Sequence, residues 1–314
     1  MRKPFILLLL LILVMVMSST VLAAKYTDTV NMSSGSLGGN WFPMMTALGE
    51  LILKPAGINY TNGPGGGIES VIALHQRQVE LGLTQALSLD WAKDGKAPFD
   101  KIINDVQALV NLYPDALHIV VGKDTDIFSI KDLKGKRVAV NLAGQTAAVV
   151  FKDLLNIYGI EEDEVKIRRG SPGEGQALYN DGLVDAWAYT SPLPSPQVLL
   201  MLSSRDSRII PVTDEEIEAL GAGYSKVNIE PEIYPQLDKT VQSAGLPVVI
   251  ITHEDLSVDL AYKLTKIICT NFQEMWPVWS CLNGIEAKDL ANIPKGTPIH
   301  AGALKYFKEV GLMK

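Results

Sequence analysis

Hydrophobic and polar positions along this chain follow the pattern of short strands that alternate with helices. Short apolar runs are each followed by a longer segment in which apolar residues recur three or four positions apart, which is the period of an amphipathic helix. Strands that alternate with helices indicate a mostly parallel sheet with helices on both faces. In its first part the chain is predicted to have strands at 30–32, 58–61 and 81–84 and helices at 41–54, 68–76 and 86–93.

Two extended segments, 106–114 and 117–122, interrupt this alternation. Charged residues follow Gly122, and this change of composition indicates a crossing into another domain. The second series repeats the first, with strands at 137–141, 165–168, 186–190 and 209–211 and helices at 145–158, 173–180, 196–203 and 214–220. A loose region at 223–242 precedes a strand at 246–252 and helices at 258–274, near 278 and at 301–310.

Small residues fill the turns where strands lead into helices. Residues 33–43 and 61–70 are two glycine-rich loops of this kind, and Gly144, Gln145 and Thr146 form a third turn. Glycine leaves the backbone accessible, and the first amides of a helix have no partner within the helix. Such turns suit an anion or a carbonyl group.

The first residues have the features of a secretory signal peptide. Arg2 and Lys3 precede an apolar run from 4 to 17, and small residues stand at Ala23 and Ala24. The run is short for a membrane span. We therefore expect cleavage after Ala23 or Ala24, so that residues 1–24 are a signal peptide and the mature protein is soluble and exported.

Charge and motifs restrict the function. With 314 residues, 28 basic and 35 acidic, the chain has a formal net charge of −7 and no long basic run, which argues against nucleic acid as a partner. The four histidines lack metal-ligand spacing, and no nucleophile elbow or phosphate-binding loop occurs. We expect no metal, no cofactor and no enzyme activity, although a pair of catalytic carboxylates stays open. Whether Cys269 and Cys281 form a disulfide also stays open.

In the order and spacing of its motifs the chain resembles the TAXI family of extracytoplasmic solute-binding proteins, which serve TRAP-type secondary transporters. The resemblance covers essentially the whole mature chain and is carried by residues 33–43, 62–70, 79–85, 112–121, 141–146, 182–189 and 299–312. It implies a two-lobed α/β fold of the periplasmic-binding-protein type, with a hinge and a ligand cleft between the lobes. Lobe 1 would comprise 25–122 and 242–314, and lobe 2 would comprise 123–241.

The resemblance also implies a small polar solute, an organic acid or an amino acid of the glutamate class, delivered to the permease subunits of a TRAP-type transporter. We expect a periplasmic monomer. The candidate ligand-binding residues are Ser36, Gly38, Gly39, Asn40, Trp41, Gly66, Gly67, Gln85, Tyr113, His118, Gln145, Thr146, Tyr189 and Ser191.

Several of these candidates have an equally simple structural explanation. A lone histidine is more often satisfied in a core than it is a ligand, and only the resemblance favours His118 as a ligand. Tyr189 either closes over a ligand or packs at the rim. No arginine is placed at the glycine loops, which argues against a strongly anionic solute. The alternatives are a binding protein of an ATP-driven importer for nitrate, sulfonate or a thiamine precursor, and an exported enzyme.

Overall fold

Ten strands form one mixed sheet within the part of the chain that the structure, a computed structural model, describes: residues 29–35, 37, 39–143, 145–221 and 223–314. The strands are β1 (Thr29–Ser33), β2 (Asn59–Gly63), β3 (Leu81–Gln85), β4 (Val106–Gly122), β5 (Arg137–Asn141), β6 (Lys166–Gly170), β7 (Ala186–Ser191), β8 (Ser207–Ile209), β9 (Ser225–Ile229) and β10 (Val241–His253). Their order is β2-β1-β3-β10-β4-β7-β5-β6, while β8 pairs with β4 and β9 pairs with β10.

Helices connect these strands and cover the sheet. They are α1 (Trp41–Leu48), α2 (Ile68–His75), α3 (Leu87–Asp94), α4 (Thr146–Ile157), α5 (Pro172–Asn180), α6 (Pro196–Ser204), α7 (Asp214–Leu220), α8 (Val258–Asn271), α9 (Ala287–Leu290) and α10 (Ala301–Glu309). A π-helical turn continues α1 over Gly49–Leu53, and 3-10 turns occupy Ile130–Leu133, Glu162–Glu164, Phe272–Val278 and Ser280–Leu282.

The strands that alternate with helices pair in parallel, as the sequence pattern predicts. Strand β1 lies between β2 and β3, and β5 lies between β6 and β7, each in parallel register. A strand, a helix and a parallel strand place the carboxyl ends of neighbouring strands at one edge of the sheet. The glycine-rich turns therefore come together at one edge in each half of the molecule.

The two halves are joined by the long antiparallel strands β4 and β10. In the first half, Val248–Ile251 of β10 pairs with β3, and β10 also pairs with the first residues of β4. In the second half, Ala116–Val121 of β4 pairs with β7. The chain thus crosses between the lobes twice, once in each of these strands.

Two prolines face each other where the paired strands β4 and β10 pass from one lobe to the other. Pro114 is the register partner of Pro247, and the register shifts between Pro247 and Val249. Since proline has no N–H, neither residue donates to the ladder at this point. This interruption of the ladder suits a hinge.

The structure differs from the sequence pattern in several elements. The two extended segments around Pro114 are one strand, because β4 exchanges neighbours there rather than ending. The predicted helix 41–54 changes to a π-helical turn at Gly49, and the loose region 223–242 contains β9. Cys269 and Cys281 are free thiols, and burial raises the pKa of both.

The predicted signal peptide lies outside the described residues. In the described part of the chain, no helix combines the length and the apolar character that crossing a membrane requires.

We predict that Gly302→Ala destabilises the protein. A Cβ at Gly302 in α10 would lie 2.4 Å from the carbonyl oxygen of Val258 in α8 and 2.6 Å from the amide of Tyr262. Because both atoms belong to the backbone, the helices must separate, at a cost of about 1–3 kcal/mol. The measurement is the free energy of unfolding in urea.

Gly173→Ala is the matched control, since a Cβ at that position in α5 meets nothing within 4 Å. Its stability should be unchanged or higher by up to about 1 kcal/mol, because alanine favours the helix. Equal stabilities of the two variants would contradict the close contact between α8 and α10.

Candidate functional site

A cavity of about 360 Å³ lies between the two lobes, at the carboxyl ends of the parallel strands. This volume is in the range of sites for small organic molecules. Ligands of open α/β sheets bind at this edge of the strands. The cavity is lined by Gly35, Gly39, Asn40, Trp41, Gly65, Gly66, Gly67, Ile68, Glu69, Ile72, Gln85, Pro98, Asp115, Asn141, Leu142, Ala143, Gln145, Thr146, Ala147, Pro172, Tyr189, Thr190 and Pro192.

The two glycine-rich loops of the first lobe hold each other in place. The amide of Gly65 donates to the carbonyl of Gly35 at 3.2 Å, and that of Ser34 donates to the carbonyl of Gly63 at 3.3 Å. Gly66 has a φ of 102°, and a Cβ on it would lie 2.6 Å from the carbonyl oxygen of Ser34. Glycine is required at this position both by its backbone conformation and by the neighbouring loop.

Three helices begin at the cavity without a capping side chain. The N-cap residues are Asn40 for α1, Gly67 for α2 and Gln145 for α4, and in none of them does a side chain accept a bond from the first turn. By contrast, Ser171 and Thr213 cap α5 and α7 with a capping box. The first-turn amides at the cavity therefore stay available to a bound molecule.

A hydrogen bond and an ion pair join the lobes across the cavity. Oγ1 of Thr146 donates to Oε1 of Gln85 at 2.8 Å, and Nε2 of Gln85 donates to Oδ2 of Asp115 at 2.9 Å. Nζ of Lys96 lies 2.8 Å from a carboxylate oxygen of Asp153 in α4. The structure thus shows the lobes in contact across the cavity.

Asp115 is the buried acid of the cavity. It is 2 % exposed, and burial raises the pKa of its carboxyl to about 7, against the opposing effect of the Gln85 hydrogen bond. The hydroxyls of Tyr113 and Tyr189 are also close, and burial followed by the Asp115 charge raises the pKa of both. Asp115 is therefore the acid of this site that changes charge near neutral pH.

Four buried polar atoms around the cavity have no hydrogen-bond partner among the described residues. They are Nδ2 of Asn40, Oδ1 of Asp115, Oδ1 of Asn141 and Oε1 of Gln145. Burying such a group without a partner costs about 1–3 kcal/mol. Unpaired donors and acceptors around one cavity indicate where a polar molecule binds.

No lysine or arginine stands among the described residues that line the cavity. Arg77 pairs with Asp105 and Asp255, Arg137 pairs with Asp185, and Arg169 pairs with Glu162. Arg168 is exposed on β6. Arg169 also donates from Nη1 to the carbonyl oxygen of Asn141 at 3.3 Å, so it lies beside the turn that follows β5 without lining the cavity.

Of the predicted site residues, nine line the cavity, three are buried elsewhere and two lie outside the described residues. Those that line it are Gly39, Asn40, Trp41, Gly66, Gly67, Gln85, Gln145, Thr146 and Tyr189. Tyr113, His118 and Ser191 are buried without lining it, and Ser36 and Gly38, like Gly144, lie outside the described residues. Tyr189 is 7 % exposed and stacks on Trp187 at a centroid distance of 4.8 Å, so it forms a fixed wall rather than a closing flap.

His118 belongs to a buried polar network beside the hinge. Its Nδ1 lies 3.3 Å from Oγ of Ser191, and its Nε2 lies 3.2 Å from the hydroxyl of Tyr234. Burial lowers its pKa to about 3, so the imidazole stays neutral. Tyr113 directs its hydroxyl to Sδ of Met44 at 3.7 Å. These residues support the hinge instead of contacting the cavity.

Sequence reasoning missed several lining residues, above all Asp115 and Asn141. A signal for Asp115 was present, since it is an acidic residue between two apolar segments. This signal points to the cavity only once both segments are known to form one strand, β4, that passes between the lobes. Asn141 ends a strand and was assigned to the strand rather than to the loop.

Comparison with known proteins decides the family. A family model described as NMT1-like matches residues 32–311. The chain belongs to the NMT1-like family. The predicted membership of the TAXI family, and the TRAP-type partner that it implied, are therefore wrong.

Solved structures resemble the chain at low sequence identity. PhnD1 from Prochlorococcus marinus in complex with methylphosphonate has a TM-score of 0.56 at 13% identity, covering 91% of this chain and 100% of that one. XAC2383 from Xanthomonas citri bound to ATP has a TM-score of 0.54 at 13% identity, covering 91% and 97%. An ancestral arginine-binding protein bound to glutamine reaches 0.51 at 16% identity, covering 81% and 99%.

These matches confirm the predicted two-lobed α/β fold with a hinge and a cleft. The NMT1-like chain is a solute-binding protein and not an enzyme, as the sequence indicated. Among the described residues, no group of three or more acids, cysteines or histidines is placed to hold a metal ion.

We predict that Asp115 makes the protein progressively less stable, relative to Asp115→Asn, as the pH rises from 4 to 7. An unfolded aspartate releases its proton near pH 3.9, whereas folded Asp115 keeps it until about pH 7. Within this window the folded state binds more protons, so each added pH unit removes up to about 1.4 kcal/mol. Asp115→Asn should lack this contribution and gain stability relative to the parent protein between pH 4.5 and 8.

Urea unfolding at pH 4.5, 6 and 8 measures the effect. Glu69→Gln, which removes an exposed carboxylate from the same cavity, is the control for loss of charge. Parallel pH profiles of the parent protein and the Asn variant would contradict a buried Asp115 that holds its proton.

Proposed function

We propose that the chain is the periplasmic solute-binding component of an ATP-driven importer and that it captures a small polar solute between its lobes. The observation that carries this proposal is the convergence of three uncapped helix starts and four unpaired polar atoms on one cavity. An ATP-driven importer is the sequence-based alternative that agrees with the family. The partners are the permease subunits of that importer, and the chain acts as a monomer.

The proposed ligand contacts come from both lobes. On one side are Gly39, Asn40, Trp41, Gly66, Gly67 and Gln85, and on the other are Gln145, Thr146 and Tyr189, with Asp115 between them. With no lysine or arginine among the described lining residues, helix amides hold the acceptor group of the solute. Each helix start contributes about 0.3–2 kcal/mol to binding a negative charge, most when it is partly buried.

Closure of the lobes couples binding to delivery. We propose that the predicted lobes, residues 25–122 with 242–314 and residues 123–241, move about Pro114 and Pro247 after removal of residues 1–24. The ends of β4 and β10 that pair with β7 and β9 move with the second lobe. A solute that contacts both lobes favours the closed state by its difference in affinity for the two states. The Thr146–Gln85 bond and the Lys96–Asp153 pair add direct contacts to that state.

Thermal unfolding of the mature protein against carboxylates, amino acids, sulfonates and phosphonates tests solute binding. A ligand at a hundred times its dissociation constant should stabilise the protein by about 2.7 kcal/mol. If no solute of the panel stabilises the protein, the proposal is wrong. For the importer, the loaded protein should stimulate ATP hydrolysis in membranes that contain the permease encoded beside this chain, and no stimulation would contradict that part.

Gly66→Ala should weaken solute binding at least tenfold. A Cβ at Gly66 collides with the backbone of Ser34 and Gly35, at 2.6 and 2.9 Å, so the loop that presents the α2 amides must move. In the same loop, Gly63→Ala is the matched control, because its Cβ meets only the Met32 carbonyl oxygen, at 3.6 Å. Calorimetric titration measures both, and equal affinities would show that the Gly66 loop does not form the site.

A further inference from the structure

Among the described residues of β4 and β10, the two strands that join the lobes, Asp115 is the only charged residue that lines the cavity. Its register partner in β10 is Leu246, next to the paired prolines. The side chain is 2 % exposed and lines the cavity. A ligand in the cavity therefore lies next to this carboxyl.

Only one oxygen of this carboxyl is paired within the described residues. Oδ2 accepts from Nε2 of Gln85, while Oδ1 is buried without a partner. The Gln85 amide is committed at both ends, since its Oε1 accepts from the hydroxyl of Thr146. Oδ1 is thus left for a group that enters from the cavity.

We infer that Asp115 is a specificity-determining residue that selects solutes presenting a hydrogen-bond donor, an ammonium or an amide N–H, to its Oδ1. This inference rests on the proposed solute-binding function. The same cavity offers helix amides to acceptor groups, so a zwitterion or an amide-bearing acid satisfies both kinds of protein group. The amine or amide end lies at Asp115, and the acid end lies at the helix starts.

Solutes that carry only acceptors fit this arrangement poorly. Above about pH 7, where Asp115 is ionised, a sulfonate, phosphonate or carboxylate oxygen beside Oδ1 would face a second acceptor, and no lysine or arginine of the described cavity lining compensates. The other lining acid, Glu69, is also an acceptor when ionised. A buried charge without a partner is costly, whereas an ammonium group neutralises it and donates to it.

Matched pairs of solutes that differ in one amino group test the inference. Taurine is compared with ethanesulfonate, and glutamate with glutarate, by calorimetric titration of the mature protein at pH 8. The member with the amine should bind at least tenfold more tightly in whichever pair binds. Equal or tighter binding of the acceptor-only member would overturn the role of Asp115 while leaving the solute-binding function intact.

Asp115→Asn provides the second arm. Its amide oxygen can still accept from Gln85, while its N–H₂ turns the free position from acceptor to donor. The preference for the amine should fall below twofold, and Asp163→Asn, which removes an exposed carboxylate outside the cavity, should retain it. If Asp115→Asn keeps the full preference for the amine, the inference is wrong. If this variant does not fold, the comparison of paired solutes in the parent protein still tests the inference.

The wider panel separates this inference from the function on which it rests. Any other solute that stabilises the protein is compared with its analogue that lacks N–H groups, and a loss of at least tenfold in affinity supports the role of Asp115. A stabilising solute without any donor would overturn that role alone. Failure of the entire panel to stabilise the protein contradicts the proposed function itself.

Discussion

The antiparallel pairing of β4 with β10 is the constraint on which the rest of the structure depends. These two strands are shared by both halves of the sheet, so they bring the glycine-rich turns of one lobe opposite the Asn141–Gln145 turn of the other. Where they cross, Pro114 and Pro247 face each other without N–H donors. The same pairing thus joins the lobes, and its hydrogen-bond ladder is interrupted beside the cleft.

The crossing also explains the electrostatics of the cavity. Asp115 immediately follows Pro114, so its carboxyl lies at the floor between the lobes, away from water. Burial raises its pKa to about 7, and Gln85 links it to Thr146 on the opposite lobe. The carboxyl of one side chain and the contact between two lobes are therefore parts of one hydrogen-bonded chain.

Glycine and histidine illustrate how far local pattern reaches into the site. The turn at Gly66 was predictable, because a run of glycines between a strand and a helix has few other physical explanations. His118 was not, because nothing in its neighbourhood in the sequence announces Ser191 and Tyr234, its partners 73 and 116 positions further on. When the hydrogen-bond partners of a polar residue are distant in the sequence, the residues around it do not show that it is hydrogen-bonded.

The sequence by itself determined the alternation of strands and helices, the positions of the glycine turns and the absence of basic residues from them, since these follow from local periodicity and backbone conformation. Tertiary structure alone decided that two extended segments are one crossing strand, that Asp115 faces the cavity, and that Tyr113, His118 and Ser191 turn away from it. Those outcomes depend on which strands become neighbours, and that choice is made by the burial of the whole sheet rather than by any single segment.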